Sequence, residues 1–278
     1  MSGRFVLEAV GGLGNRMRAL DSAIGFCRQY DKELHLVWPF FKGLNCPFDK
    51  LFEKPEIVQS ISSPSEYSRS KIIRNLKVTR RKIARNFYRF IYDKVIFKKQ
   101  IYTLQENDYD FRELAEFGNI RLQTDQKFFQ TKTPYRDLQP IPPLLAEIEK
   151  YRIEFSTSNA VGIHIRRTDH VWAIKHSPTE KFIAMMGEEL QRDPSTRFFL
   201  ATDSPEEERI LSEQFGDRII TYKKSSLDRE SIEGIQDALV DMYLLASTNK
   251  IIGSFTSSFS EVAAEIGNIP LVAIGKMD

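Results

Sequence analysis

Val161-Gly-Ile-His-Ile-Arg-Arg-Thr-Asp169 is a short apolar run that carries one histidine and ends in a burst of charge. Val161, Ile163 and Ile165 read as a buried strand that stops where Arg166, Arg167 and Asp169 begin. In an open α/β sheet, ligands bind beyond the carboxyl ends of the strands. An arginine there presents a planar fork of donors that matches a phosphate. The other reading of the same residues is a strand ending in a surface charge cluster, with Arg167 paired to Asp169.

Outward from this strand the C-terminal half alternates regularly. The strand at 160–165 precedes a helix near Glu180–Leu190, and the strand at 197–201 precedes a helix near Pro205–Phe215. Ser204 is placed to cap that second helix, with Pro205 at its first position. A strand at 218–221, a helix near Ile235–Ala246, a strand at 250–253, a helix near Ser257–Ile266 and a strand at 271–274 complete the series. This is the pattern of a doubly wound α/β domain. The N-terminal half opens in the same way. Phe5–Val10 reads as a strand, Gly11–Gly14 as a turn, a helical pattern follows with Met17, Leu20, Ile24 and Cys27 on one side, and Leu34–Trp38 is the next strand. Four prolines between Pro134 and Pro143 mark a boundary, so the chain is read as domains 1–150 and 151–278.

The bulk composition fits a soluble globular protein of one or two domains: 278 residues, 41% hydrophobic and 28% charged. A net charge of +2 does not describe a nucleic-acid binder. The charge is uneven, however. Residues 74–99 hold ten Lys/Arg against Asp93 alone, a local +9 that leaves −7 for the rest of the chain. Within that segment, 74–92 reads as a basic amphipathic helix with Ile83, Phe87, Phe90 and Ile91 at i, i+4, i+7 and i+8. Such a helix lies on an anionic membrane surface, meets an anionic acceptor, or is a domain helix with a solvated basic face. Two cysteines, Cys27 and Cys46, form no disulfide framework and no zinc constellation. With no leader pattern and no long apolar run, the chain reads as cytoplasmic, with a peripheral contact at the inner membrane surface through 74–92.

Several further segments can carry chemistry. Gly11-Gly-Leu-Gly-Asn-Arg16 joins strand to helix, where backbone amides can approach an anion. It is not a dinucleotide fingerprint, because Met17 stands where the third glycine belongs. Asp203 closes a strand and either contacts a ligand or helps to cap the next helix. Asp237 and Asp241 are i, i+4 on one helix, a spacing that like charges disfavour. Asp241 sits among Ala238, Leu239, Leu244 and Leu245 and is expected to face inward, where a carboxylate can accept both N–H donors of a guanine edge. Ser254-Phe-Thr-Ser-Ser258 brings hydroxyls and amides to a helix N-terminus, the makings of an anion site or an ordinary cap. Asp108-Tyr-Asp110 has the D-x-D form of a metal-binding glycosyltransferase motif, although acids are favoured at that place in any case.

These residues carry a resemblance. Gly11-Gly-Leu-Gly-Asn-Arg16 looks like the N-terminal signature of α1,2-fucosyltransferases. Val161–Asp169 is similar to the motif shared with α1,6-fucosyltransferases, including the core and nodulation-factor enzymes. Leu200–Asp203 and Asp241–Ala263 continue the similarity, while 39–155 resembles nothing we can name. The resemblance implies a GT-B-like fold, two Rossmann-like doubly wound domains facing a cleft, with the acceptor on the N-terminal side. It implies an inverting transferase that takes GDP-fucose as donor, needs no metal or other cofactor, and fucosylates a carbohydrate or glycoconjugate. By position, His164 and Asp241 would meet guanine, Arg166 the diphosphate, and Ser257 and Ser258 would complete the phosphate site. Asp203 joins this donor-binding set, and Gly12, Gly14 and Asn15 would line the phosphate side from the other domain. The chain departs from the α1,6 pattern at His170, where those enzymes have lysine, and at Ile174, where they have an acid. The family's arginine is replaced by Glu261. His170 is then the candidate base beside Arg166 in the catalytic set, with Asp21 and Asp169 as weaker candidates. The rival readings are a GDP-mannose or metal-dependent transferase using Asp108 and Asp110, and a GDP-sugar-binding protein without activity.

Overall fold

The computed structural model describes residues 3–275 apart from 42–43, 65–82, 84–86, 156–158, 169–170 and 229. It divides into two compact units, Met1–Ile141 with Asp228–Ile235, and Pro142–Leu227 with Gln236–Asp278. Each unit holds one five-stranded sheet, and every strand pairing in both is parallel.

The first unit contains β1 (Arg4–Ala9), α1 (Leu13–Tyr30), β2 (Glu33–Val37), β3 (Val58–Ser62), β4 (Lys94–Ile96), α2 (Lys98–Glu106) and β5 (Ile120–Thr124), with sheet order β3-β2-β1-β5-β4. Phe5 and Leu7 of β1 are fully buried, as are Met17, Leu20 and Phe26 of α1. Asp31 ends α1 in the left-handed conformation, with φ 48°. Parallel strands buried on both faces normally read as unbroken apolar runs. Ile120-Arg-Leu-Gln-Thr124 alternates instead, yet all five residues are buried. The reason is Glu8 on β1. Arg121 donates to its Oε2 at 2.8 Å and Gln123 to its Oε1 at 2.7 Å, so both side chains find a buried acceptor inside the unit.

The second unit contains α3 (Pro142–Phe155), β6 (Ala160–Ile165), α4 (Val171–His176), α5 (Thr179–Arg192), β7 (Arg197–Thr202), α6 (Pro205–Phe215), β8 (Ile219–Thr221), α7 (Ile232–Leu245, of which the residues up to Ile235 are counted with the first unit), β9 (Lys250–Ser254), α8 (Ser258–Gly267) and β10 (Leu271–Ile274). The sheet order is β10-β9-β6-β7-β8. All of β6 is buried between β7 and β9. Val161, Ile163 and Ile165 share one core with Phe182 and Met186 of α5, Phe198 and Leu200 of β7, and Leu211 of α6. Ser204 caps α6 by accepting from the Glu207 amide at 3.4 Å. Of the prolines between 134 and 143, Pro142 and Pro143 open α3.

The crossover from β8 to β9 carries the chain back past β6 to the other side of the sheet. The carboxyl ends of β6 and β9 therefore flank the switch point where sheets of this kind bind ligands. In the first unit the corresponding place lies between β1 and β5.

Close packing of α8 on β9 depends on Gly253, because a Cβ there would stand 2.5 Å from Ser260 Oγ and 2.8 Å from Ser260 Cβ. Gly253→Ala is expected to cost about 1–3 kcal/mol, the usual range for overpacking. Urea unfolding of the variant checks it, and stability equal to the parent would refute the constraint.

Candidate functional site

At the carboxyl end of β6 the chain turns through Arg166, Arg167 and Thr168, and neighbouring strands hold that turn. Ser254 at the end of β9 accepts from the Arg166 amide at 3.0 Å and donates to the His164 carbonyl at 3.2 Å. Asp203, just past β7, accepts from the Arg167 amide at 2.7 Å, the Thr168 amide at 3.3 Å and the Thr168 hydroxyl at 2.7 Å. It also stands 3.7 Å from Arg166 Nε. The cap of α6 is Ser204, so Asp203 fastens the β6 turn instead.

The two arginines divide their tasks. Arg167 Nε donates to Glu207 at 2.6 Å, and its NH2 donates to the Thr179 hydroxyl, which itself bonds Glu207. Arg167 thereby ties the turn to α5 and α6. Arg166 emerges beside Ser254, at the switch point. Asp169 and His170 lie outside the described residues, so the expected pairing of Arg167 with Asp169 and the candidate base both fall there.

His164 is buried with its Nδ1 2.6 Å from Ser260 Oγ, and its ring stacks on Phe259 at 4.7 Å between centroids. Burial, assisted by the positive charge of Arg166, drives its pKa down to about 3, so the imidazole is neutral. Ser257 is the cap residue of α8, yet its side chain makes no capping bond. Thr256 before it takes a left-handed φ of 47°. Phe255 is held through its amide by Ser177 Oγ at 2.8 Å. His164, Arg166, Asp203, Ser254 and Ser260 thus form one connected group, with Ser257 and Ser258 at the start of the helix that carries Ser260.

Asp237 and Asp241 belong to a second group on α7; both are buried, and their partners separate their roles. Asp237 accepts from Tyr222 OH at 2.9 Å and from the amides of Ser225 and Ser226 at 2.6 and 2.8 Å, so it pins the segment after β8. Asp241 pairs through Oδ2 with Lys224 Nζ at 3.1 Å, while its Oδ1 is buried with no hydrogen-bond partner. Burial lifts its pKa to about 7 against the opposing pull of Lys224.

In the first unit, Gly11 has φ 87°, which favours glycine, and Gly12 caps α1 with φ −74°. No atom lies within 4 Å of where a Gly12 Cβ would stand, so packing inside the protein does not demand glycine there. Gly14 is buried and Asn15 half-buried in the first turn of α1. Arg16 is fully buried, donates from Nε to the Gly11 carbonyl at 2.9 Å and lies over the rings of Trp38 and Phe41. Asp21 is occupied structurally, accepting from the Thr131 hydroxyl at 2.6 Å and the Tyr135 amide at 2.7 Å, which removes it as a candidate base. Asp110 of the D-x-D triplet caps a short 3-10 turn and is bound to Arg112. Among the described residues, no group of three or more His, Cys, Asp and Glu side chains could hold a metal ion.

Sequence reading missed Ser260, Glu207 and Lys224. Lys224 had a signal, since it follows the carboxyl end of β8. Ser260 had none, because its approach to His164 depends on how α8 packs.

No protein-family model matches the chain. Its structure is similar to that of NodZ α-1,6-fucosyltransferase soaked with GDP-fucose, with a TM-score of 0.64 and 21% identity, covering 96% of this chain and 93% of NodZ. A mutant of Arabidopsis thaliana FUT1 in complex with GDP aligns with a TM-score of 0.62 and 14% identity over 98% of this chain and 70% of that one. POFUT1 in complex with GDP gives 0.56 and 12% over 99% and 98%.

Asp203→Ala would leave three donors of the 166–168 turn without their acceptor. Losing a part-buried carboxylate of this kind costs about 1–3 kcal/mol. Thermal unfolding should register that loss, and the Arg167 and Thr168 amides should exchange faster with solvent. Unchanged protection at both amides would sink the clamp. By its two parallel sheets and its likeness to these solved proteins, the chain has the GT-B-like fold of the fucosyltransferases.

Proposed function

We propose that the chain is an inverting, metal-independent glycosyltransferase that moves fucose from GDP-fucose to a hydroxyl of a glycan or glycoconjugate. The observation that carries this reading is Arg166, fixed by Ser254 and flanked by Asp203 at the switch point of the second sheet. A guanidinium held there is preorganised for a diphosphate. The similar structures add support, because FUT1 and POFUT1 were solved with GDP and NodZ was soaked with GDP-fucose.

In this reading Arg166 and the N-terminal turn of α8, with Ser257 and Ser258, receive the diphosphate. Guanine is assigned to His164 and Asp241. A neutral imidazole tolerates a base beside it, and Asp241 Oδ1 is an acceptor in need of a donor. Asp203 serves the donor by holding the Arg166 turn. On the first unit, the open space at Gly12, with Gly14 and Asn15 behind it, is a second place where backbone can approach phosphate. The acceptor oxygen attacks the anomeric carbon as the carbon–oxygen bond to GDP breaks. The electron pair leaves on the diphosphate, where Arg166 offsets the growing charge, and the acceptor proton passes to a base. We assign that base to His170.

A second reading, a donor-binding protein without transfer, is favoured by Ile174. It is 43% exposed where the α1,6 enzymes carry an acid. Hydrolysis or transfer of GDP-fucose by the purified chain would exclude it.

Calorimetric titration with GDP-fucose, GDP-mannose and UDP-glucose tests the donor. The expected result is binding of GDP-fucose alone, unchanged by chelator. No binding by a folded protein would overturn the assignment. Arg166→Ala should lower turnover by roughly a hundredfold or more, and His170→Asn should abolish transfer with GDP binding intact. Near-parental turnover in either variant would remove that residue from the mechanism.

GDP binding also has a pH signature. The ionised Asp241 accepts from guanine, and its pKa near 7 makes the protonated form dominant below neutrality. GDP affinity should therefore fall by roughly tenfold between about pH 8 and pH 6, one unit either side of the pKa. His164, with a pKa near 3, stays neutral throughout. Asp241→Asn should flatten the profile, and an identical slope in that variant would refute the guanine contact.

A further inference from the structure

The basic segment of the first unit is not absorbed by any role in transfer. Residues 74–82 and 84–86 lie outside the described residues, whereas Ile83 and 87–91 are helical. Four large apolar side chains on this stretch are exposed: Ile83 54%, Phe87 58%, Phe90 87% and Ile91 60%. Phe87, Phe90 and Ile91 stand at i, i+3 and i+4 of the described turn and so share one face. The neighbouring face is anchored. The Arg121 guanidinium lies 4.1 Å from the Tyr88 ring centroid and 6.0 Å from that of Tyr92, and Arg121 is itself held by Glu8. The sheet thus holds the helix by its tyrosines while the phenylalanines point outward.

Over the described residues the helix turns Phe87, Phe90 and Ile91 to solvent together with Arg89, so a solvated basic face alone does not account for it. A free anionic glycan would use the charge and leave Phe87, Phe90 and Ile91 without purpose. An anionic bilayer uses both, with apolar side chains entering the headgroup–acyl boundary and lysines and arginines meeting lipid phosphates. The cations are close at hand. Arg89 is exposed on the helix, Lys94 is partly exposed on edge strand β4, and Lys99 is exposed at the start of α2, where Lys98 is paired with Asp125. In sequence, residues 74–99 carry +9 within a chain whose remainder carries −7. None of the described helices is long and apolar enough to cross a membrane, so this contact lies along the surface.

We propose that the helix containing Phe87, Phe90 and Ile91 docks the protein onto an anionic lipid bilayer, with its apolar row inserted at the interface and the surrounding lysines and arginines on the headgroups. Docking does not depend on the donor site, so it stands or falls separately from the transferase reading.

Sedimentation of the full chain with vesicles decides it. One set is phosphatidylcholine alone, and the other is equal parts phosphatidylcholine and phosphatidylglycerol. Binding is expected to the anionic vesicles and not to the neutral ones, and to weaken as salt rises. Phe87→Asp with Phe90→Asp should weaken vesicle binding at least tenfold. Both side chains are exposed, so far-UV circular dichroism and GDP titration of the variant should match the parent. Failure to bind anionic vesicles overturns the proposal, as does parental binding by the double variant. Concentration-dependent self-association that is lost in that variant, without vesicle binding, would assign the face to a second copy of the chain instead.

Discussion

Two adjacent arginines at the end of a buried strand repel each other and would scatter toward solvent unless something fixed them. Asp203 and Ser254 supply that constraint. One carboxylate past β7 takes three bonds from the 166–168 turn, and one hydroxyl at the end of β9 takes a fourth. The clamp works only because β6 is registered against both neighbours, with Ile165 opposite Thr202 and His164 opposite Gly253. Glu207 then neutralises Arg167 and leaves Arg166 as the guanidinium at the switch point. The position of a single side chain thereby depends on the pairing of three strands, which is why a central strand suits this task.

The same economy separates like residues into unlike roles elsewhere. Asp237 and Asp241 share a helix and are both buried, but Asp237 receives three donors while Asp241 receives Lys224 on one oxygen. Three protein donors make the first a structural acceptor. Incomplete solvation raises the pKa of the second and makes it receptive to a ligand with donors of its own. His164 shows the opposite case, a base kept neutral by burial beside a cation.

The alternation of strands and helices in the second unit was legible because each strand there is a continuous apolar run and each helix is amphipathic. The ends of strands were legible as sites for the same reason: charge appears where the apolar run stops. The first unit was legible through β2 and then ceased to be. Arg121 and Gln123 make β5 look half-exposed, and the partner that buries them, Glu8, is more than a hundred residues away. β4 has three residues, too few to carry a period. The split between Arg166 and Arg167 was likewise invisible, since it is made by Glu207 and Thr179 on other elements. Local pattern reports local preference, and these features are set by long-range pairing.

The two features we propose to meet anions differ in kind. In the second unit a few part-buried groups are held at fixed positions, so charge there would act through geometry and be weakly screened. Around Phe90 the described charges are exposed, so each would contribute little and be screened by salt. Fixed geometry selects one ligand, whereas exposed charge selects any anionic surface and leaves the apolar row to distinguish a bilayer from the rest. A net charge of +2 conceals this arrangement, because the basic segment and the acidic remainder nearly cancel in the sum. In the second unit the opposite signs are matched pair by pair, with Arg166 beside Asp203, Arg167 on Glu207 and Lys224 on Asp241.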